Sequence, residues 1–359
     1  MINEDLYFFQ ITDNFSKTKE IQSIPVKVAD LPTIPRFTIA IPTYKRVETL
    51  KEAIESAINQ VGYDDYDIIV VDNDSERDTQ TEKLMMNLDN RRISYFKNSV
   101  NLQMAGNWNR CFELAKGEYV VMLHDDDLLL PNFLVDCYSI ISNNKFGILK
   151  PLAFNWEVTE DINIVLSKKY KSDFKLQRLY DFSHFSRYLL GPPSACFFNK
   201  QAVFEIGGFN QDYYPYMDFC FTVVFSQYYP VYLYNNKLSI YRYMINDTLN
   251  LNTLLKSFEG VYYIRKQILE KYNVPQKFIN KFLSCNLSAS ISSYKKVNPE
   301  FDFDITTLGL RIPRKLEIII YLNIVRFLNY VIKKVTTTKS SSSKYHFRNN
   351  MKSKLKAGI

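Results

Sequence analysis

Apolar residues in the first third of the chain follow two different spacings. Mostly apolar runs at 37–41, 66–71, 93–96 and 119–123 are typical of buried strands. Between them, 47–60 and 107–116 repeat apolar residues every three or four positions, which predicts helices, and 76–88 predicts a polar helix. Strands that alternate with helices in this way predict an α/β fold, in which a mostly parallel sheet carries helices on both faces.

The second half of the chain is less regular. It predicts strands at 147–156, 194–198, 231–234 and 238–243, and helices at 176–190 and after residue 200. Two further helices are predicted within 251–294, separated near Pro275. We therefore expect an extension on the surface of the fold (1–35), a main domain (36–250) divided at residue 131, a helical region (251–310) and a basic segment with a disordered tail (311–359).

Polar side chains follow three of the four strands in the first third. Thr43 and Tyr44 follow the first strand, Asp72 and Asp74 end the second, and 125–127, here called the Asp triplet, follow the fourth. Ligands of open parallel sheets bind beyond the carboxyl ends of the strands. These groups therefore predict a binding site at one edge of the sheet.

The Asp triplet points to a metal ion. Three adjacent carboxylates repel one another at the end of a buried strand, and a divalent cation removes that repulsion. Oxygen ligands suit Mg²⁺ or Mn²⁺, which often share a substrate's phosphates. Two questions stay open from the residues alone: which of the three aspartates binds metal, and whether the triplet is only a solvated turn before the next helix.

The charge is concentrated at the end of the chain. The 359 residues carry a net charge of +7, but 311–359 hold 12 Lys/Arg and one Glu, which leaves a mildly acidic body. Such a tail suits an anionic surface of lipid or nucleic acid. The five cysteines show no CxxC spacing and predict reduced core thiols of a cytosolic protein. We also expect no signal peptide and no membrane-spanning helix, and no GxGxxG or P-loop motif is present.

The segment 315–335 has the pattern of an amphipathic helix. Asn323, Arg326, Asn329 and Lys333 form one polar stripe among apolar residues. This pattern fits a helix that lies in a membrane interface. The alternative is a C-terminal helix that packs on the body of the protein.

These motifs together resemble the family 2 glycosyltransferases with a GT-A fold, over about residues 36–246. The resemblance depends on the order and spacing of Ile41-Pro42-Thr43-Tyr44-Lys45-Arg46, Val70-Val71-Asp72-Asn73-Asp74-Ser75, Asn107-Trp108-Asn109-Arg110 before Gly117, His124-Asp125-Asp126-Asp127 before Pro131, Gly207-Gly208-Phe209, and Asp218.

The resemblance implies an inverting, metal-dependent hexosyltransferase with Mn²⁺ or Mg²⁺ as cofactor. It would move a sugar from a UDP-sugar, bound by 36–131, to a hydroxyl of a saccharide, bound by 132–250. The implied acceptor is linked to polyprenyl diphosphate in bacterial O-antigen or capsule synthesis. The basic segment adds an expected location in the cytoplasm, on the inner face of the membrane, with anionic lipid and no nucleic acid as partner.

The resemblance also implies residue roles. Asp218 matches the general base, and Asp126 and Asp127 match the metal ligands. His124 is expected to contact these ligands rather than the metal itself. Asp72 would accept a hydrogen bond from the uracil N3–H. The donor-binding residues implied as a set are Pro42, Thr43, Tyr44, Asp72, Asn109, Asp125 and Arg242.

Three positions depart from the family's usual pattern, and they concern the metal and base contacts. His124 stands where a carboxylate is more usual, Trp108 where an Arg often contacts the base, and Met244 where some members carry a His. Asp218 has a second interpretation as a helix N-cap. The tyrosines before it could stack on acceptor sugars or pack within their loop.

Other classes of protein remain possible from the sequence. A non-catalytic scaffold that binds sugar nucleotides would share the same motifs, and the basic tail alone would suit a nucleic-acid-binding protein. A sugar-nucleotide pyrophosphorylase is disfavoured, because Pro42-Thr43-Tyr44 is not the glycine-rich loop that this class needs after its first strand.

Overall fold

The computed structural model describes residues 7–157, 159–167, 175–243, 250–296 and 298–339. Its strands are β1 (Ser23–Lys27), β2 (Phe37–Thr43), β3 (Tyr66–Asp72), β4 (Ile93–Asn98), β5 (Tyr119–Met122), β6 (Leu128–Leu129), β7 (Ile148–Glu157), β8 (Lys175–Leu179), β9 (Cys196–Asn199), β10 (Val231–Tyr243) and β11 (Thr337–Lys339).

The α-helices are α1 (Val47–Ile58), α2 (Gln80–Asn87), α3 (Gln103–Leu114), α4 (Phe133–Ile141), α5 (Ile162–Ser167), α6 (Lys200–Ile206), α7 (Met217–Tyr228), α8 (Leu251–Lys271), α9 (Gln276–Tyr294) and α10 (Lys315–Thr336). Helix α2 begins later than predicted because Thr79 caps it by accepting the Glu82 amide hydrogen.

The strands form a single sheet in the order β1-β4-β3-β2-β5-β9-β7-β10-β8-β11, with β6 paired to β10. Strands β4, β3, β2 and β5 are parallel, as are β7 and β10. Strand β9 lies antiparallel between β5 and β7 and joins the two parallel parts. The predicted α/β fold with a mostly parallel sheet is confirmed.

Both faces of the sheet are covered by packed side chains. All seven residues of β2 and all seven of β3 are buried. Ile39 and Val70 pack with α1 and α4 on one face, whereas Ala40 and Ile69 pack with α3 and α7 on the other. Burial on both faces explains why these strands are mostly apolar runs.

The first 35 residues are more integrated than the surface extension we expected. Strand β1 pairs with β4 and forms one edge of the sheet. Phe8 and Phe9 are 1% and 4% exposed, and they pack with α7 and α8. The extension therefore belongs to the folded body over its described residues, 7–35.

The helix predicted at 176–190 is wrong. Strand β8 begins at Lys175 and pairs with β10, and a 3-10 turn at 181–184 follows it. Leu176 and Leu179 have helical spacing, but in the sheet Leu176 lies opposite Tyr234. The local sequence pattern does not reveal pairing with a strand more than 50 residues away. This pairing determines that the segment is a strand rather than a helix.

Helix α10 packs on the body along one side only. Tyr321 is 7% exposed and its hydroxyl contacts Asn286 of α9. Asn329 donates a hydrogen bond of 3.2 Å to the Ser186 hydroxyl, and β11 then pairs with β8. Asn329, a member of the predicted polar stripe, therefore faces the protein. The tail predicted to be disordered lies mostly outside the described residues.

No helix in the described ranges combines the length and the hydropathy that crossing a lipid bilayer requires. All five cysteines are buried and none forms a disulfide.

Candidate functional site

A cavity of about 450 Å³ opens at the carboxyl ends of β2, β3 and β5. Most of its lining residues come from four segments: 42–44 and Arg46 after β2, 101–108 at the start of α3, 124–126 after β5, and 214–218 at the start of α7. The structure thus brings together the strand ends that the sequence singled out. Four of the predicted donor-binding residues line this cavity: Pro42, Thr43, Tyr44 and Asp125.

Each member of the Asp triplet is fixed by a different partner. The Thr43 hydroxyl donates to Asp125 Oδ2 at 2.8 Å, and Arg46 Nη1 donates to Asp126 Oδ2 at 2.9 Å. The Arg242 amide nitrogen donates to Asp127 Oδ1 at 2.9 Å. Three contacts from different parts of the chain therefore hold the three carboxylates in separate directions.

Burial dominates the electrostatics of the triplet. It raises the pKa of both Asp125 and Asp127 to about 7, and the neighbouring Asp126 carboxylate adds to the effect. The Thr43 hydrogen bond and the Arg46 charge counteract part of the shift in the pKa of Asp125. A bound cation would relieve the repulsion between these buried carboxylates.

The residues present fit a divalent metal ion. Ligand atoms of His124, Asp126 and Asp127 lie within 4.8 Å of one another. Nε2 of His124 is buried and has no hydrogen-bond partner in the described part of the chain. Burial lowers the pKa of His124 to about 4, so its imidazole is neutral and can ligate. His124, which we expected behind the ligands, therefore joins the candidate ligand set, while Asp125 is turned toward Thr43.

Asp218 lies across the cavity from the strand ends. It sits in the first turn of α7, whose N-cap residue is Tyr216, so the N-cap interpretation does not hold. Its Oδ1 accepts the Phe219 amide hydrogen at 2.8 Å. Burial raises the pKa of Asp218 to about 6, against the opposing effects of this hydrogen bond and of the Lys150 charge. A carboxylate with a pKa near the working pH suits a general base.

Asp218 is also held through its backbone. The Tyr188 hydroxyl donates to the Asp218 carbonyl oxygen at 3.1 Å and lies 2.9 Å from the Thr222 hydroxyl. The Tyr188 ring stacks on Phe219 with the centroids 4.8 Å apart. The first turn of α7 is therefore fixed from behind.

Asp72 does not reach the cavity. It is 0% exposed, and Tyr95 Oη donates to its Oδ2 at 2.7 Å while Lys97 Nζ does so at 3.2 Å. Its Oδ1 accepts the Asp74 amide hydrogen at 2.9 Å. Asn73, the next residue, lines the cavity instead.

Asn109 and Arg242 support the site from outside the cavity. Asn109 exchanges two hydrogen bonds of 2.8 Å with the backbone of Phe209. Arg242 is 4% exposed, its Nε donates to the Asp126 carbonyl oxygen at 2.8 Å, and it forms an ion pair with Glu52. Met244 lies outside the described residues.

The sequence analysis did not include several lining residues in its set of site residues. Trp108 stacks on His124 with 5.2 Å between the ring centroids, and Asn107 lines the cavity beside it. The signal available was the run of amide side chains in 101–109. Of the tyrosines before Asp218, Tyr214 lines the cavity, whereas Tyr213 and Tyr216 pack against Phe8.

Comparison with known proteins identifies similar sequences. Residues 38–197 match the model of the family described as glycosyl transferase family 2. The chain is 38% identical over 102 residues to the GalNAc(5)-diNAcBac-PP-undecaprenol beta-1,3-glucosyltransferase of Campylobacter jejuni, covering 28% of this chain and 33% of that protein. It is 27% identical over 200 residues to the uncharacterized protein MT1568 of Mycobacterium tuberculosis, covering 52% and 60%.

A third relative is the UDP-Glc:alpha-D-GlcNAc-diphosphoundecaprenol beta-1,3-glucosyltransferase WfgD of Escherichia coli, which is 25% identical over 128 residues, or 36% of this chain and 48% of that protein. The chain therefore spans from one third to three fifths of the length of these relatives. Among solved structures, S. aureus TarS residues 1–349 in complex with UDP-GlcNAc shares the fold, with a TM-score of 0.53, 13% identity and 80% coverage of both chains.

Proposed function

We propose that the chain is a family 2 glycosyltransferase, as the match of residues 38–197 to that family's model supports. It would transfer a sugar from a UDP-sugar to a hydroxyl group of a saccharide acceptor, with inversion at the anomeric carbon. The observation that carries the proposal is the arrangement of one cavity. Asp125 and Asp126 of the Asp triplet line it, and so does Asp218, a carboxylate with a pKa raised to about 6.

The reaction needs one base and one stabilised leaving group. Asp218 takes the proton of the acceptor hydroxyl, and the freed oxygen forms a bond to the anomeric carbon of the donor sugar. The bond from that carbon to the diphosphate oxygen breaks, and UDP leaves with the electron pair. Attack opposite the leaving group inverts the anomeric centre, so no covalent sugar–enzyme intermediate is required.

The donor diphosphate belongs beside the Asp triplet. A divalent cation held by Asp126, Asp127 and His124 would supply positive charge that stabilises the departing diphosphate. In this proposal Thr43 and Tyr44 contact the nucleoside and Asp125 contacts the ribose; the location of all three in the cavity lining and the hydrogen bond from Thr43 to Asp125 support these roles. For the base, Asn73 and the amides of 101–107 are better placed than the enclosed Asp72.

The acceptor belongs between Tyr214 and Asp218. Tyr214, Pro215 and Tyr241 form a wall there, and such aromatic and ring surfaces stack well against sugar rings. The C. jejuni and E. coli relatives are named for saccharides linked to diphosphoundecaprenol. We extend this acceptor class to the chain as part of the proposal, with surface polysaccharide synthesis as its setting.

A lipid-linked acceptor places the enzyme at a membrane surface, and α10 is suited to that contact. Its outward side exposes Ile320 by 50%, Phe327 by 65% and Val335 by 78%. Lys333 and Lys334 lie in its last turn. Apolar side chains next to cations fit an anionic lipid surface, where each cation contributes about 1 kcal/mol.

The activity is tested with the purified full-length chain. It is incubated with Mn²⁺, a panel of UDP-sugars and a short prenyl-diphosphate-linked saccharide, and UDP release is measured together with the mass and anomeric configuration of the product. Acceptor-dependent UDP release with an inverted linkage supports the proposal. Tight UDP-sugar binding with no transfer to any acceptor would identify a non-catalytic scaffold instead.

The membrane contact has its own test. Full-length protein is sedimented with vesicles of phosphatidylcholine and phosphatidylglycerol at low salt. The double variant Ile320→Ser, Phe327→Ser should bind at least tenfold more weakly, whereas Phe278→Ser, which alters a 54% exposed residue of α9, should bind as the parent does. Equal binding of all three proteins would exclude this face of α10 as the contact.

A further inference from the structure

Arg46 occupies a position that the reaction scheme leaves unused. It precedes α1, lines the cavity, and its side chain is 30% exposed. Its Nη1 lies 2.9 Å from Asp126 Oδ2 and 3.7 Å from Asp125 Oδ1. Both carboxylates have side chains less than 10% exposed, so the guanidinium is a main source of positive charge at the open side of the triplet.

This contact has a consequence for cation binding. Asp126 is also one of the three residues whose ligand atoms lie within 4.8 Å of one another. A guanidinium that is hydrogen-bonded to one oxygen of Asp126 competes for that oxygen's lone pairs with any metal ion, and its charge repels the ion. Arg46 must therefore weaken metal binding as long as it stays on Asp126.

Arg46 also lies near a second anionic group when a donor is bound. Its side chain borders the cavity in which the diphosphate of a donor would lie next to the triplet. A guanidinium presents several N–H donors in a planar fork that matches phosphate oxygens. A flexible side chain that leaves Asp126 can thus gain an equally strong anionic partner without moving the backbone of α1.

We propose that Arg46 is an exchangeable counter-charge: it neutralises the Asp triplet in the empty site, and it pairs with the donor diphosphate in the loaded site. This inference rests on the proposed function, since it presumes a diphosphate donor and a metal ion. It adds to that function a thermodynamic coupling between metal binding and donor binding. A donor that draws Arg46 away from Asp126 makes the metal bind more tightly, and by linkage the metal makes the donor bind more tightly.

The experiment measures two binding constants in Arg46→Gln, neither of which requires turnover. Mn²⁺ binding without nucleotide is followed by electron paramagnetic resonance of the free ion. UDP binding in EDTA is followed by calorimetry. We expect Mn²⁺ to bind about three- to tenfold more tightly, because the competing charge is gone. We expect UDP to bind about tenfold more weakly, because a charge-assisted hydrogen bond to phosphate is lost.

Lys45→Gln is the matched control. Lys45 is the adjacent residue and carries the same charge, but it pairs with Glu76 at 3.4 Å rather than with the triplet. It should change neither constant by more than about twofold. Arg46→Lys keeps the charge and should stay closer to the wild type than Arg46→Gln in both measurements.

The outcomes separate the two proposals. If wild-type protein binds Mn²⁺ and UDP but Arg46→Gln lacks either shift, or Lys45→Gln reproduces both, the exchange is refuted while the proposed function stands. If wild-type protein binds neither ligand, the proposed function fails, and the role of Arg46 fails with it.

Discussion

Replacing Asp218 by Asn is the sharpest test of the reaction chemistry. Asn has nearly the same size and keeps an oxygen that can accept the 2.8 Å hydrogen bond from the Phe219 amide. It has no basicity, so only proton transfer is removed. Positioned general bases contribute a factor of about 10²–10⁴ in rate. We therefore expect turnover to fall by that factor, or about 3–5 kcal/mol in activation free energy, with the affinity for UDP unchanged.

The pKa of Asp218 also predicts a pH profile. Burial raises this pKa to about 6, and the base works only when ionised. Asp218 is then about nine-tenths ionised at pH 7 and about one-tenth at pH 5. Turnover at saturating metal and donor should fall as the pH drops through 6, and this part of the pH dependence should be missing from the residual activity of Asp218→Asn.

The assay combines UDP release with calorimetric UDP binding, and it uses Asp212→Asn as control. Asp212 lies six residues earlier, its side chain is 71% exposed, and it pairs with Lys17 on the surface. This variant should keep wild-type turnover. The reasoning is refuted if Asp218→Asn retains more than about a tenth of the activity, or if it loses donor affinity in parallel with turnover.

Three further predictions concern the metal and the supports of the site. Asp126→Ala should abolish transfer and the Mn²⁺-dependent part of UDP binding; full activity of this variant or of the wild type in EDTA would contradict it. Lys97→Met leaves Asp72 buried without its cation and should lower the free energy of unfolding in urea by about 3–5 kcal/mol. This loss should be smaller at pH 5 than at pH 8, because Asp72 can take up a proton at pH 5. Equal losses at both pH values would argue against the ion pair. Gly208→Ala places a methyl group 2.6 Å from Asn109 Oδ1 at a φ of +75°, so we expect a loss of about 1–3 kcal/mol in the same assay, and unchanged stability would show that this turn can relax.

The site at the sheet edge could be predicted from the sequence because its elements are recognisable from short segments of the chain. Strands β2, β3 and β5 are mostly apolar runs, and the polar residues that follow them must meet where parallel strands end. The position of the Asp triplet and of Thr43 beside the cavity follows from this alone. That Thr43 donates to Asp125 needed only the adjacency of β2 and β5.

The remaining features depend on contacts between residues that are far apart in the sequence, and local sequence patterns do not reveal such contacts. Asp72 is enclosed because Lys97 reaches it from β4, and Asn109 is engaged because the Phe209 turn folds back onto α3. Both residues stand at motif positions, but their partners lie 25 and 100 residues away. Strand β8 was missed for the same reason, since its pairing with β10 decides its structure.

The contacts behind the Asp triplet bear on how such a protein could change its substrate. Arg242 of β10 donates hydrogen bonds to the Asp127 carboxylate and to the Asp126 carbonyl oxygen, and it forms an ion pair with Glu52 of α1. Side chains on the rim are more exposed than Arg242: Met104 is 37% exposed and Arg242 only 4%. Substitutions on the rim can therefore reshape the space for the sugar while the cation-binding end keeps its geometry. Selection for new donors or acceptors, in nature or in a library, should accumulate changes at rim positions such as Met104 and Tyr214 and leave Arg242 and Glu52 untouched.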